Sequence, residues 1–141
     1  MLKILVILLM NGQTPVQSAW DLLATTTIKQ GHDPFLDESI DLPVFSSELK
    51  KWDGKQITLE GYIIPLNQGV GQDYFVLSRF PFQSCFFCGA AGPETVVEVY
   101  SSREVQYTDE KVKVTGTLEL NEDDPLHLFF LVRKCTVVAI P

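Results

Sequence analysis

The stretch Gln56-Ile57-Thr58-Leu59-Glu60-Gly61-Tyr62-Ile63-Ile64-Pro65 decides the fold. Ile57, Leu59, Gly61 and Ile63 recur at every second position, the period of a strand with one face buried. A glycine inside such a strand forfeits packing and marks a bulge or a tight bend. The same device returns later as Val112-x-Val114-x-Gly116-x-Leu118. Two long strands, each bent near its middle, belong in a sheet that must coil around a small volume.

Three further runs, 74–80, 95–100 and 128–138, carry the β-branched and aromatic bias of strands, and the glycine-bearing echo extends over 111–120. Asn67, Gly69 and Gly71 separate the first pair, and polar segments 101–110 and 121–125 separate the later ones. Five strands, two of them glycine-bent, predict an all-β domain, a five-stranded closed Greek-key barrel. A two-layer sandwich has the same strand count and stands beside it as the alternative. Ahead of the barrel, Trp20, Leu23 and Ile28 suggest a short helix over 20–29. The acidic, proline-containing segment 31–43 reads as an irregular surface loop. Ser46 or Ser47 caps a brief helix through Trp52, which Asp53-Gly54 ends.

A chain of 141 residues suits one domain with a substantial core. Its formal net charge of −7 disfavours phosphate backbones, so no nucleic-acid partner is expected. Lys3, the apolar run 4–10 and the polar segment behind it read as a signal peptide, residues 1–18, cut between Ser18 and Ala19. Residues 19–53 then form an N-terminal extension and 54–141 the barrel. The alternative for the apolar run is a strand or helix docked on the domain. Once the signal is removed no membrane span is expected, and the protein is placed outside the cytoplasm, periplasmic or extracellular.

Export would put Cys85, Cys88 and Cys135 in an oxidising compartment. Cys85-Phe86-Phe87-Cys88 lets two sulfurs face one ion or each other, a spacing shared by zinc sites and dithiol redox centres. A plain disulfide is a third use of the pair. Cys135 reads as a small buried residue rather than a ligand.

The elements Gly54-Lys55-x-Ile57-x-Leu59-x-Gly61-Tyr62-x-x-Pro65-Leu66, Phe75-x-Leu77, the Cys85 loop with Gly92-Pro93, and 96–99 resemble a bacterial exported family, a domain of unknown function with an OB-like fold. The resemblance covers roughly residues 54–120, and Trp20-Asp21-x-Leu23 extends it toward the N-terminus. Many relatives carry Cys-x-His before a proline-rich turn. This chain has Cys85-x-x-Cys88 followed by Gly89-Ala90-Ala91-Gly92-Pro93. Some relatives are associated with zinc-responsive gene clusters and transport systems, which implies metal handling, with an envelope transport system or another protein as partner.

In the OB topology that this resemblance implies, the third and fifth strands run parallel, so their starting ends are neighbours. The cysteine loop ends where the third strand starts, which favours His127 as the ligand beside Cys85 and Cys88. Cys135 lies eight residues from His127, roughly 26 Å along an extended strand, at the far end. His32, Glu94 or a water are candidates for a fourth ligand. The reading is therefore a binding or accessory domain, non-enzymatic, that holds a divalent metal such as Zn²⁺ through Cys85, Cys88 and His127. A thiol–disulfide redox protein is the second reading. It is weakened because Gly-Ala-Ala-Gly-Pro and a strand follow the pair, where redox thiols use a helix N-terminus. A protein–protein adaptor using the aromatic residues around the loop is the third. No Gly-x-Ser-x-Gly, phosphate-cradling loop or His-Glu-x-x-His is present. Glu94, Glu98 and Glu104 read as a solvated face.

Overall fold

The structure, a computed structural model, describes residues 16–64, 72–81 and 91–140. Cys85 and Cys88 lie outside the described residues, as does most of the segment read as a signal. Five strands close a barrel in the order β3-β4-β5-β7-β6, where β3 is Gln56–Ile64, β4 Gln72–Ser78, β5 Val96–Val105, β6 Val112–Leu120 and β7 Phe130–Ala139. Only β5 and β7 are parallel among the paired barrel strands, with Glu98 opposite Leu131 and Val99 opposite Val132. That order and that single parallel pairing are the OB topology. The barrel, not the sandwich, is the architecture.

Alternation fills the interior. Ile57, Leu59 and Ile63 from β3 meet Phe75 and Leu77, Val97 and Val99, Val112 and Val114, and Phe130 and Val132 in one buried cluster. The two glycine-bearing strands are neighbours, with Ile57 opposite Gly116 and Gly61 opposite Val112. A Cβ on Gly61 would stand 2.3 Å from the Ser78 carbonyl oxygen. One on Gly116 would stand 2.6 Å from Cys135 Sγ and 2.7 Å from the Arg133 carbonyl oxygen. Each glycine thus permits a backbone approach that any side chain would block.

Two short helices cap one opening. Helix α1, Val16–Leu23, inserts Trp20 and Leu23 into the barrel core, and Trp20 Nε1 donates to the Glu60 carbonyl oxygen at 2.8 Å. The expected cut between Ser18 and Ala19 falls within this helix. Helix α2, Ser47–Lys50, is capped by Ser46, whose hydroxyl accepts from Leu49 N at 3.1 Å. Gly54 follows with a φ of 78°, the left-handed conformation that glycine takes without strain.

The region between the helices departs from expectation. The anticipated helix over 20–29 stops at Leu23, where Thr25 Oγ1 turns back to donate to the Leu22 carbonyl. The β-branched run Thr25-Thr26-Thr27-Ile28 instead feeds a strand, β1 (Thr27–Asp33). The segment read as an irregular loop is a hairpin, with β1 paired antiparallel to β2 (Glu38–Val44). Its prolines fit that form, since Pro34 sits in the connection and Pro43 lies at the end of β2 opposite Ile28.

Candidate functional site

On β5, Val97 and Val99 point inward, so Val96, Glu98 and Tyr100 face the outside of the barrel. That outer wall of β4 and β5, together with the loops joining β3 to β4 and β6 to β7, is where OB folds bind ligands. Here its centre is a carboxylate. Glu98 is 3% exposed, which corrects its reading as part of a solvated face. Leu128, ahead of β7, packs against a small cluster of Ile64, Val76 and Val96, and its backbone N–H reaches Glu98.

A charge so buried must be compensated, and four groups converge on it. Tyr74 donates its hydroxyl at 2.7 Å and Tyr100 at 3.5 Å. The Leu128 backbone N–H donates to Oε2 at 3.0 Å. His127 Nδ1 lies 3.1 Å from Oε2 and 3.2 Å from Oε1. Burial, and then the negative Glu98 beside it, push the Tyr74 hydroxyl far above the ordinary tyrosine range, and Tyr100 moves the same way for the same causes. Both tyrosines therefore stay neutral donors at any physiological pH. Their rings meet at a tilt of 47° with centres 5.0 Å apart, and the Arg133 guanidinium lies 4.5 Å from the Tyr100 ring centre while it pairs with Glu119.

His127 is placed by its own loop. Asn121 Oδ1 accepts from Asp124 N at 2.9 Å, and Asn121 Nδ2 donates to the carbonyls of Asp124 at 2.8 Å and Leu128 at 3.0 Å. One side chain thus spans the turn from end to end. Asp124 in turn accepts from Leu126 N at 3.0 Å, and its other oxygen lies 3.9 Å from His127 Nε2. A carboxylate against Nδ1 favours a proton on that nitrogen, and in the neutral ring this arrangement leaves the lone pair on Nε2. His127 lines an open cleft of about 680 Å³ together with Asp124, Glu119, Arg133, Asp53 and Lys50. Acidic side chains outnumber basic ones there, which suits a cation and repels a phosphate.

The remaining expected residues separate. Cys135 is 1% exposed inside the barrel, where its Sγ donates to the Val132 carbonyl at 3.2 Å. Burial pushes its thiol up to about 11, so it is the inert core residue its sequence context suggested. His32 is on the hairpin and lies 3.2 Å from Asp37. Glu94 sits in the turn Pro93–Thr95 just before β5, its carboxylate folded over Gly92. Among the described residues no three His, Cys, Asp or Glu side chains form a ready cation cluster. Sequence reasoning missed Glu98 and the tyrosine pair. Alternation puts Tyr74, Glu98 and Tyr100 on one face of adjacent strands, but it carries no signal that the loop with His127 and Leu128 meets Glu98 there. No family model, curated protein or solved structure matches this chain.

Proposed function

We propose that this protein is an exported accessory domain that binds a divalent metal such as Zn²⁺ on the outer wall of its OB barrel, with His127 as one ligand and Cys85 and Cys88 as the thiolate pair. The observation that carries the reading is the Glu98–His127 contact. A carboxylate on the far ring nitrogen is the usual companion of a metal-bound histidine, because it fixes the tautomer and raises the basicity of the other nitrogen. The parallel pairing of β5 with β7 supports the same reading. Residues 79–95 join β4 to β5 and return at Val96, two residues from Glu98 on the same outer face. The intervening chain is long enough for both cysteines to reach His127. Two thiolates and an imidazole are a donor set suited to Zn²⁺, with one position left for a fourth ligand. Bound there, the metal would supply charge and a fixed geometry. The chain's own part is to hold Nε2 in place and to keep the anionic Glu98 behind it.

The test is to purify the full chain under reducing conditions, supply Zn²⁺, and measure bound metal together with free thiols. The expected result is one equivalent of metal with two thiols protected, reduced by Cys85→Ser, Cys88→Ser or His127→Ala. Substoichiometric metal after reconstitution, or full binding retained in all three variants, would overturn it. A redox dithiol would instead show fast exchange with a model disulfide, independent of His127.

A further inference from the structure

We infer that the β1–β2 hairpin is a docking arm for a protein partner, one that offers an apolar pocket rimmed by basic side chains. This is independent of the metal site. Phe35 is 95% exposed and Leu36 67%, side by side in the hairpin connection. Large apolar side chains in a mobile tip would signify little, but this tip is built. Pro34 fixes its own backbone angle. The Asp33 side chain, which is buried, accepts from Phe35 N at 2.8 Å and Leu36 N at 3.3 Å. Asp37 N closes the turn onto the Asp33 carbonyl at 2.9 Å, and His32 Nε2 stands 3.2 Å from the Asp37 carboxylate. Two anchors are thus held outward in one arrangement, which lowers the ordering cost of inserting them into a pocket.

Charge selects the class of partner. The exposed charges of the hairpin are Lys29 against Asp37, Glu38 and Asp41, with Asp37 and Glu38 beside the apolar tip, Asp41 further back opposite Gln30, and Asp33 buried in the turn. An anionic lipid surface would be repelled, and so would another copy's acidic tip. A pocket edged with lysine or arginine complements both the anchors and their rim.

The test places the photoreactive residue p-benzoylphenylalanine at position 35 of the full chain, irradiates it in the producing cells, and maps adducts by mass spectrometry. The expected result is one heterologous protein, joined at an apolar site with basic neighbours in its own sequence or structure. Adduct yield should fall at least about tenfold when the tip charge is changed by Asp37→Asn with Glu38→Lys. Asparagine is chosen at 37 because φ there is 53°, a conformation it tolerates. Cross-strand NMR contacts between β1 and β2 that are unchanged in that variant, such as Ile28 to Pro43 and Gly31 to Ile40, show that the hairpin is intact. Adducts with lipid, with a second copy, or with nothing would overturn the inference, as would a yield indifferent to the charge change.

Discussion

Glu98 is the residue on which the outer wall turns. Its carboxylate is buried and receives Tyr74, Tyr100, His127 and the Leu128 N–H. Removing it takes away the one acceptor that these groups share. Glu98→Ala should therefore destabilise the fold by about 3–5 kcal/mol, while Glu98→Gln, which keeps an acceptor oxygen, should cost about 1–3 kcal/mol. Urea unfolding of the two variants checks both values, and equal, small losses would contradict the account. Cys135 makes a prediction of the opposite kind. Its thiol is raised from an ordinary 9.0 to about 11, so the folded state holds this proton more tightly than the unfolded chain. The contribution is constant below about pH 9 and is lost as pH rises from there toward 11, because the unfolded chain ionises first. Cys135→Ala should flatten that part of the alkaline decline in stability. In the native protein, thiol reagents should leave Cys135 unmodified until the fold opens.

At the scale of elements, β3 and β6 were legible from period two with a glycine marking the bend in each, and β4, β5 and β7 from their β-branched and aromatic runs. Ile57, Leu59 and Ile63 announced their own burial. Gly61 and Gly116 announced the close approaches to Ser78 and Arg133. Gly61→Ala should cost about 1–3 kcal/mol or more, since the clash is with backbone that cannot rotate away. The hairpin was not legible. Its strands are mostly exposed and polar, so pairing depends on partner register rather than on an apolar repeat. Glu98 was hidden for a related reason. Alternation correctly puts it on the outer face, but only the later loop carrying His127 and Leu128 covers that face. Asn121 organises this loop, and if zinc binds as proposed, Asn121→Ala should leave the barrel folded while lowering the affinity at least several-fold, a result isothermal titration would read. A variant that binds zinc as tightly as the native chain would show that loop order is irrelevant to the site.

Across the whole molecule, core and site are built from opposite faces of the same strands. β5 gives Val97 and Val99 to the interior and Glu98 and Tyr100 to the wall. Trp20 and Leu23 of α1, Leu49 of α2 and Phe45 just ahead of α2 join the barrel core, so the wall is presented by a packed frame. The hairpin stands apart from this core, and Phe35→Ser with Leu36→Ser should change stability by no more than about 0.5 kcal/mol, as expected where side chains touch little. The central claim is that Glu98 holds His127 with Nε2 free to take a metal. It is tested most directly by ¹⁵N NMR of the histidine side chains in the reduced full chain, before and after one equivalent of Zn²⁺. The account predicts that His127 carries its proton on Nδ1 beforehand, that Nε2 shifts on zinc addition, and that His32 does not. A proton on Nε2, or a His127 spectrum unchanged by zinc, would contradict it.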